Sequence, residues 1–361
     1  MRRASSACGA ATSQATLRQH GKSFHWAGFF LPRQQLDDGA QLYHVCRQVD
    51  DIADNATTMT ERQRARRVLS CLQHKLCARS PAQQPLPTAS NTADTDARLT
   101  ETEQLLVDSL ESDIVALFGR DSRCLQAMHD LVATMVMDLS PVLLEDEPAL
   151  LGYAYGAAGT VGVMMCQLMG AREPNHSLAF AIDLGMAMQM TNIARDVLED
   201  AQRGRVYVPQ TWMNQPISAD AIASGDAQAR QQAWQAIGYL IERAEAYYAS
   251  GWQGLAYLPP RTRLAIGVAL RVYRQIGRRI QSLSADNYWS QRVVVPKAGK
   301  LQQSLMALPA LINRSSAIHD AALHKPLEDQ LSPYALDPET LDDNVSQDNA
   351  PGRKKLHSGK A

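Results

Sequence analysis

Two acidic clusters in the sequence place oxygen-bearing side chains on shared faces of predicted helices. In the first cluster, "CRQVDDIADN", Asp50 and Asp54 lie four residues apart and therefore share one helix face. In the second, "TNIARDVLEDAQRGRVYVP", Asn192, Asp196 and Asp200 follow one another at intervals of four residues. Each cluster predicts a row of oxygen ligands along one side of a helix.

Either cluster alone is also typical of the solvated face of an amphipathic helix. The pair is more informative, because the second helix is apolar on most of its sides, with Met186, Ile193 and Leu198 around the acidic row. A buried charge without a partner is costly, and few cations lie in these helices, so bound metal ions would provide the compensation. Oxygen ligands without Cys or His favour Mg²⁺, with Mn²⁺ as a substitute, and phosphate oxygens would complete the coordination.

Arginines accompany both acidic rows. Arg47 and Arg195 lie within the two clusters, and Arg203 and Arg205 follow the second with Gly204 between them. Guanidinium groups suit phosphate oxygens, so these side chains are candidates for binding a diphosphate. The alternative, that Arg47 and Arg195 form only salt bridges with their neighbours, stays open.

The overall composition excludes several classes of protein. The chain has 361 residues with 36 Lys+Arg and 37 Asp+Glu, so its net charge of −1 gives no indication of a nucleic-acid partner. Six cysteines are scattered without a C-x-x-C pair, which favours a reducing cytosol over a disulfide scaffold. The N-terminus has no apolar core of the kind found in secretory signals, and we expect a cytoplasmic protein.

Helical periodicity dominates the chain, and no segment shows sustained apolar/polar alternation with hairpin turns. We therefore predict one all-α domain over residues 17–320, between disordered tails at 1–16 and 321–361, with a flexible polar insertion at about 78–100. Residues 148–171 carry no charge and are long enough to span a bilayer. Their five glycines and Gln167 favour a buried core helix instead.

Several long motifs, in order, resemble the squalene/phytoene synthase family over about residues 17–305. They are "GKSF" at 21–24, "LYHVCRQVDDIADN" at 42–55, "YAYGAAGTVGVMMCQLMG" at 153–170, "QMTNIARDVLEDAQRGRVYVP" at 189–209 and "RVYRQIG" at 271–277. Within the family, the fourth motif and "GVMMCQLMG" are most similar to bacterial phytoene synthases.

The resemblance implies an all-α isoprenoid-synthase fold around a central cavity. It also implies a Mg²⁺-dependent prenyltransferase that joins two geranylgeranyl diphosphates head to head (1′-1), through a cyclopropyl diphosphate, to phytoene in carotenoid biosynthesis. No NADPH is expected for that reaction. The water-insoluble product makes peripheral association with a membrane, and contact with downstream carotenoid enzymes, compatible with the sequence.

Site residues are also implied by the resemblance. Asp50 and Asp54 would form the first Mg²⁺-diphosphate motif, and Asn192, Asp196 and Asp200 the second. Tyr155 and Tyr273 would act near the reacting carbons. The residues implied in substrate binding are Lys22, Ser23, Phe24, Tyr43, Arg47, Gln189, Arg195, Arg205 and Arg292.

Two departures from the family pattern leave details open. Gly21 stands where family members often have Ser, and the segment after Asp138 lacks the usual Arg-Tyr pair. One alternative function is squalene or dehydrosqualene synthesis from farnesyl diphosphate, because a sequence does not reveal the length of a tunnel. Another is a non-catalytic scaffold, although such a protein would be expected to lose motif aspartates, and all are present.

Overall fold

The structure is almost entirely helical, which confirms the predicted all-α fold. It is a computed structural model that describes residues 12–19, 21–79, 99–119, 121–312, 318–334 and 336. The helices are α1 (12–19), α2 (Lys22–Gly28), α3 (Arg33–Asp54), α4 (Met59–Arg79), α5 (Glu101–Phe118), α6 (Ser122–Met137), α7 (Glu147–Ala154), α8 (Thr160–Leu168), α9 (Pro174–Gln202), α10 (Ala219–Ser224), α11 (Ala227–Gly254), α12 (Pro260–Gln281), α13 (Ala285–Ser290), α14 (Lys297–Met306) and α15 (Glu328–Leu331).

Shorter elements complete the chain. A π-helical turn, Tyr155–Gly159, joins α7 to α8. Strands β1 (Val142–Leu143) and β2 (Arg205–Val206) form a single parallel pair. The 3₁₀ turns are Gln210–Trp212, Leu255–Tyr257, Leu308–Ile312, Ala321–Leu323, Lys325–Leu327 and Ser332–Tyr334.

Helix α9 is the centre of the packing, because it contacts α8, α10, α11 and α12. Its approach to α8 requires glycine on both sides. A β-carbon on Gly162 would lie 2.1 Å from the carbonyl oxygen of Ala181, and one on Gly185 would lie 2.1 Å from that of Ala158. The two backbones are therefore in contact, which no other residue type would permit.

The uncharged stretch at 148–171 lies within the fold, as predicted for a core helix. Among the described residues, one helical run, Glu147–Leu168, is long and apolar enough to suit a membrane span. Its most apolar 18-residue stretch has a mean hydropathy of 1.4, and 61% of that stretch is buried inside the protein. It packs against α6 and α9.

The folded region extends beyond both predicted boundaries. At the N-terminus, α1 begins at residue 12, inside the predicted tail, and Leu17 is buried. At the C-terminus, residues 318–334 pack onto the domain through Leu327, Leu331 and Tyr334. A few apolar residues at helical spacing anchor this otherwise polar segment to the domain. Its polar composition therefore led to the wrong prediction that it belongs to a disordered tail. Residues 80–98, most of the predicted insertion, lie outside the described residues, and Arg79 belongs to α4.

We expect Gly185→Ala to destabilise the protein by about 1–3 kcal/mol, because its methyl group would force α9 away from the π-helical turn that leads into α8. Gly238→Ala is the matched control: it lies in α11 with nothing within 4 Å of the added carbon and should stabilise by roughly 0.5–1 kcal/mol. Urea unfolding of both variants measures the difference. Equal stabilities would contradict the close approach of the two helices.

Candidate active site

The two acidic rows meet at one end of a central cavity of about 1080 Å³. Asp50 and Asp54 reach it from α3, and Asn192, Asp196 and Asp200 reach it from α9. This end is open to solvent, because Arg203 and Arg292, which bind its carboxylates, have side chains 40% and 57% exposed. Further predicted residues that line the cavity are Lys22, Ser23, Phe24, Tyr43, Arg47, Gln189, Arg195, Arg205 and Tyr273.

The first row is held by ion pairs within α3 and across to the segment after α9. Arg47 Nη1 lies 2.7 Å from Asp50 Oδ2. The two oxygens of Asp54 accept from Arg205 Nη1 at 2.7 Å and Arg203 Nη1 at 2.8 Å. Arg205 is 8% exposed, so the link between Asp54 and β2 is largely shielded from water. These pairs fix the position of α3 relative to the end of α9.

The second row is bent at Asp196. Its carboxylate accepts hydrogen bonds from Arg195 Nε at 2.9 Å and from Arg292 Nε and Nη2 at 3.0 Å. Adjacent residues of a regular helix do not face each other. The Arg195–Asp196 pair coincides with a non-helical backbone at Asp196 (φ −111°, ψ 15°), where α9 kinks. Burial acts to raise the pKa of Asp196, but the hydrogen bond and charge of Arg195 outweigh it and hold the pKa below its ordinary value.

Two other carboxyl groups, those of Asp50 and Asp200, are not fully neutralised by the cations around them. Burial, reinforced by the charge of Asp54, raises the pKa of Asp50 to about 7. Burial and the charge of Asp196 raise the pKa of Asp200 well above its ordinary value, and Asp200 has no ion pair within the described ranges. Without a further cation, these groups keep protons at a pH where free carboxyls have lost them.

The donor set fits a hard divalent cation. Asn192 Oδ1 is buried at the cavity and has no hydrogen-bond partner among the residues that the structure describes. The neighbouring donors are carboxylate oxygens, two of which have raised pKa values that a cation would lower. Oxygen donors together with an open side for water or phosphate oxygens suit Mg²⁺.

An aromatic wall continues from the acidic end into the cavity. The Phe24 ring lies 5.0 Å from the ring of Tyr273 and 6.2 Å from that of Tyr43, measured between centroids. Burial raises the pKa of Tyr43 to about 12 and also raises that of Tyr273. Both hydroxyls therefore stay protonated at neutral pH, and the wall carries no negative charge.

Tyr155 does not line the cavity, which corrects its predicted placement near the reacting carbons. Its hydroxyl donates to Asp130 Oδ2 at 2.9 Å and lies 3.0 Å from the hydroxyl of Tyr334. Tyr153 lines the cavity instead. Residues two apart on a helix point to nearly opposite sides, so the motif that contains both tyrosines can direct only one of them inward.

A buried support behind the first row was not identified from the sequence. Asp138 accepts hydrogen bonds at 2.9 Å from the hydroxyls of Tyr153 and Tyr207, whose rings stack with centroids 4.3 Å apart. The Asp138 carbonyl oxygen accepts from Arg205 Nη2 at 2.9 Å. Asp138 thus positions Arg205, which in turn binds Asp54. These residues come from separate elements, so no spacing connects them.

Lys297 and Lys300 also line the cavity and were not identified from the sequence. Gly21 has a steric explanation: a β-carbon there would lie 2.9 Å from Leu17 Cδ1 and 3.1 Å from the Tyr43 ring. A serine at this position would therefore require Leu17 and Tyr43 to shift by a few tenths of an ångström or more.

A separate group of potential metal ligands lies outside the cavity lining. Both oxygens of the buried Asp183 carboxylate lie 2.7 Å from an imidazole Nε2, one from His319 and one from His324, and Ser250 also donates to it. These hydrogen bonds outweigh burial, which alone would raise the pKa, and hold the Asp183 pKa below its ordinary value. The carboxylate is satisfied by these donors, and the cluster fastens the C-terminal segment to α9.

Comparison with known proteins gives a family match over most of the chain. The sequence profile of the family described as Squalene/phytoene synthase matches residues 17–299. A 15-cis-phytoene synthase from Paracoccus sp. is 34% identical over 307 residues, which cover 80% of this chain and 88% of the relative. A phytoene synthase from Pseudescherichia vulneris is 31% identical over 312 residues, covering 83% and 91% of the two chains.

Solved structures share the fold. A dehydrosqualene synthase in complex with ligand has a TM-score of 0.62 at 23% identity, covering 85% of this chain and 98% of the other. A squalene synthase from Alicyclobacillus acidocaldarius has a TM-score of 0.53 at 19% identity, covering 79% and 96%. At these identities the likeness concerns the fold.

We expect Asp50→Asn to stabilise the metal-free protein by about 1 kcal/mol at pH 8 and by about half as much at pH 5.5. The folded-state pKa of about 7 lies above the ordinary value of 3.8, so the stability that the protonated carboxyl contributes is present below about pH 4 and is lost between about pH 4 and pH 7. The estimate is small because the side chain is 37% exposed. Thermal unfolding at both pH values measures the effect.

Asp51→Asn is the matched control, because Asp51 is adjacent on α3 but does not line the cavity. It should leave most of the pH dependence in place. Added Mg²⁺ should raise the unfolding temperature of the wild type and of Asp51→Asn more than that of Asp50→Asn. An equal Mg²⁺ response in all three proteins would contradict the metal assignment.

Proposed function

The chain belongs to the squalene/phytoene synthase family, and we propose that it joins two geranylgeranyl diphosphates head to head, through a cyclopropyl diphosphate, to form phytoene for carotenoid biosynthesis. It is a prenyltransferase. The observation that carries this proposal is the pair of facing rows, Asp50–Asp54 and Asn192–Asp196–Asp200, at the open end of one apolar cavity. The relatives named phytoene synthase support C20 substrates over the C15 alternative.

The shape of the cavity suits substrates with a charged head and a long apolar tail. Its volume of about 1080 Å³ lies just above the ~300–1000 Å³ typical of ligand pockets. Beyond the acidic end the walls are apolar, with Val161, Met165, Leu184 and Leu258 among the lining residues. The prenyl chains would lie along these walls, where water is excluded.

Asp50, Asp54, Asn192, Asp196 and Asp200 would hold Mg²⁺, with Mn²⁺ as a substitute. The bound ions would supply Lewis-acid stabilisation of the negative charge that develops on a departing diphosphate.

Arginine and lysine side chains would bind the same diphosphate oxygens. Arg47, Arg195 and Arg292 already lie beside the carboxylates, and Lys22 and Lys300 line the cavity close to each other. Guanidinium groups can exchange a carboxylate partner for a phosphate partner of similar geometry. Such preorganised positive charge stabilises a leaving group without reorganisation during the reaction.

The aromatic wall would face the carbocations formed when the diphosphates leave. The rings of Phe24, Tyr43 and Tyr273 offer electron-rich faces, and the hydroxyls of Tyr43 and Tyr273 remain neutral. Arg195 and Arg292 would keep the released diphosphate near the cation, where it can accept the final proton. No reductant takes part in this sequence.

The substrates and product also bear on where the protein works. We infer a cytoplasmic enzyme that associates peripherally with a membrane and passes its insoluble product to downstream carotenoid enzymes.

The direct test supplies the purified protein with Mg²⁺ and either geranylgeranyl or farnesyl diphosphate, each with and without NADPH. We expect a C40 triene from the C20 substrate without NADPH, identified by chromatography and mass spectrometry. A C30 product alone would transfer the function to dehydrosqualene synthesis, or to squalene synthesis if NADPH were required. No product from either substrate would favour the scaffold alternative.

Two variants compare a residue that lines the cavity with a residue that lies outside it. Asp196→Asn should lower the rate of phytoene formation by about 10²-fold or more, because it removes a ligand and a partner of two arginines. Tyr155→Phe should retain most of the rate but lower the free energy of unfolding by about 1–3 kcal/mol, because Asp130 loses a hydrogen-bond donor. A large loss of rate in Tyr155→Phe without loss of stability would restore the catalytic role first expected for this residue.

A further inference from the structure

Helix α14 and the turn that follows it face the solvent with apolar side chains. Leu301 and Leu305 of α14 are 56% and 61% exposed, and Leu308 and Ile312 of the next turn are 48% and 80% exposed. The buried side of α14 carries Gln303 and Ser304 instead. This is the reverse of the usual amphipathic arrangement, in which the apolar face is directed to the core.

Specific hydrogen bonds fix this orientation. Ser304 Oγ accepts from Trp26 Nε1 at 3.0 Å, and Gln303 Nε2 donates to Gln275 Oε1 at 3.2 Å. The inward polar groups are therefore paired, and rotation of α14 to bury its leucines would break these bonds. The leucines are held outward.

Helix α2 extends the same surface. Trp26, which binds Ser304, lies with its ring 6.3 Å from that of Phe29, and Phe29 is 69% exposed. We call the combined surface, formed by Phe29, Leu301, Leu305, Leu308 and Ile312, the apolar face. A group of exposed large apolar residues on adjoining elements is typical of an interaction site.

The segments that carry the apolar face are positively charged. Residues 21–36 and 291–312 contain no Asp or Glu, although the chain as a whole has a net charge of −1. Their cations are Lys22, Arg33, Lys297, Lys300 and Arg292, of which Arg292 is paired with Asp196. Lys300 Nζ donates to the carbonyl oxygen of Lys22 at 3.0 Å, which places the Lys300 ammonium group at the start of α2.

This combination selects one kind of partner. Exposed apolar residues flanked by Lys and Arg are typical of surfaces that lie on anionic membranes. A second copy of the chain fits less well, because a two-fold contact would bring the same positive charges together.

The apolar face is continuous with the cavity. Val294, Pro296, Lys297 and Lys300 line the cavity and lie directly before or within α14. We propose that α14, the Leu308–Ile312 turn and Phe29 dock on an anionic lipid bilayer, and that prenyl chains pass between the bilayer and the cavity beside this face. The second part rests on the proposed function, since it requires lipid substrates or products.

The test is flotation of the full-length protein with vesicles of phosphatidylglycerol and phosphatidylcholine. We expect the wild type to float with these vesicles and much less with phosphatidylcholine alone. Leu305→Ser/Ile312→Ser should lower the partition coefficient by at least about tenfold, because each exposed side chain loses most of its apolar burial in the bilayer. The matched control is Leu105→Ser/Met137→Ser, which changes residues 63% and 56% exposed elsewhere on the protein and should float like the wild type.

Three results would overturn the docking proposal: no flotation of the wild type, equal flotation of both double variants, or a wild-type dimer that Leu305→Ser/Ile312→Ser converts to monomer. Phytoene formation in detergent micelles is measured in parallel, and all three proteins should retain it. Normal flotation without any product would contradict the proposed function and leave the docking surface intact.

Discussion

The organisation of this protein depends on a concentration of negative charge at one end of an apolar cavity. Carboxylates in such a setting require positive charge, and the chain provides only part of it. Asp54 and Asp196 are matched by arginines, whereas burial leaves Asp50 and Asp200 with raised pKa values. The unmatched part defines a place for cations, and the cations in turn define a place for a polyanionic substrate.

The helical framework keeps this charge in position. Contact of α9 with α8 at Gly162, and with the π-helical turn at Gly185, brings the second row to the centre of the molecule. The buried Asp138, through Arg205, holds Asp54 of the first row to the segment that follows α9. The same arrangement leaves an apolar space between the helices. The charged end and the cavity for the prenyl chains therefore both result from the way these helices pack together.

Much of this could be predicted from the sequence, because helix periodicity converts spacing into direction. Intervals of four residues placed both acidic rows on single faces, and all five of their members line the cavity. Prediction failed where three-dimensional proximity has no counterpart in spacing. Asp138, Tyr153 and Tyr207 meet from separate elements. Tyr155 and Tyr153 share one motif but face opposite ways, and the C-terminal anchors at Leu327 and Tyr334 are hidden in a polar segment.

The central claim is that the two rows bind diphosphate through divalent cations together with arginine. Calorimetric titration of inorganic pyrophosphate into the purified protein, with and without Mg²⁺, tests this without any catalytic step. The account predicts binding that requires Mg²⁺ in the wild type and is strongly weakened when Asp54 and Asp200, one from each row, are both changed to Asn. Pyrophosphate binding of equal strength without Mg²⁺, or undiminished in the double variant, would contradict it.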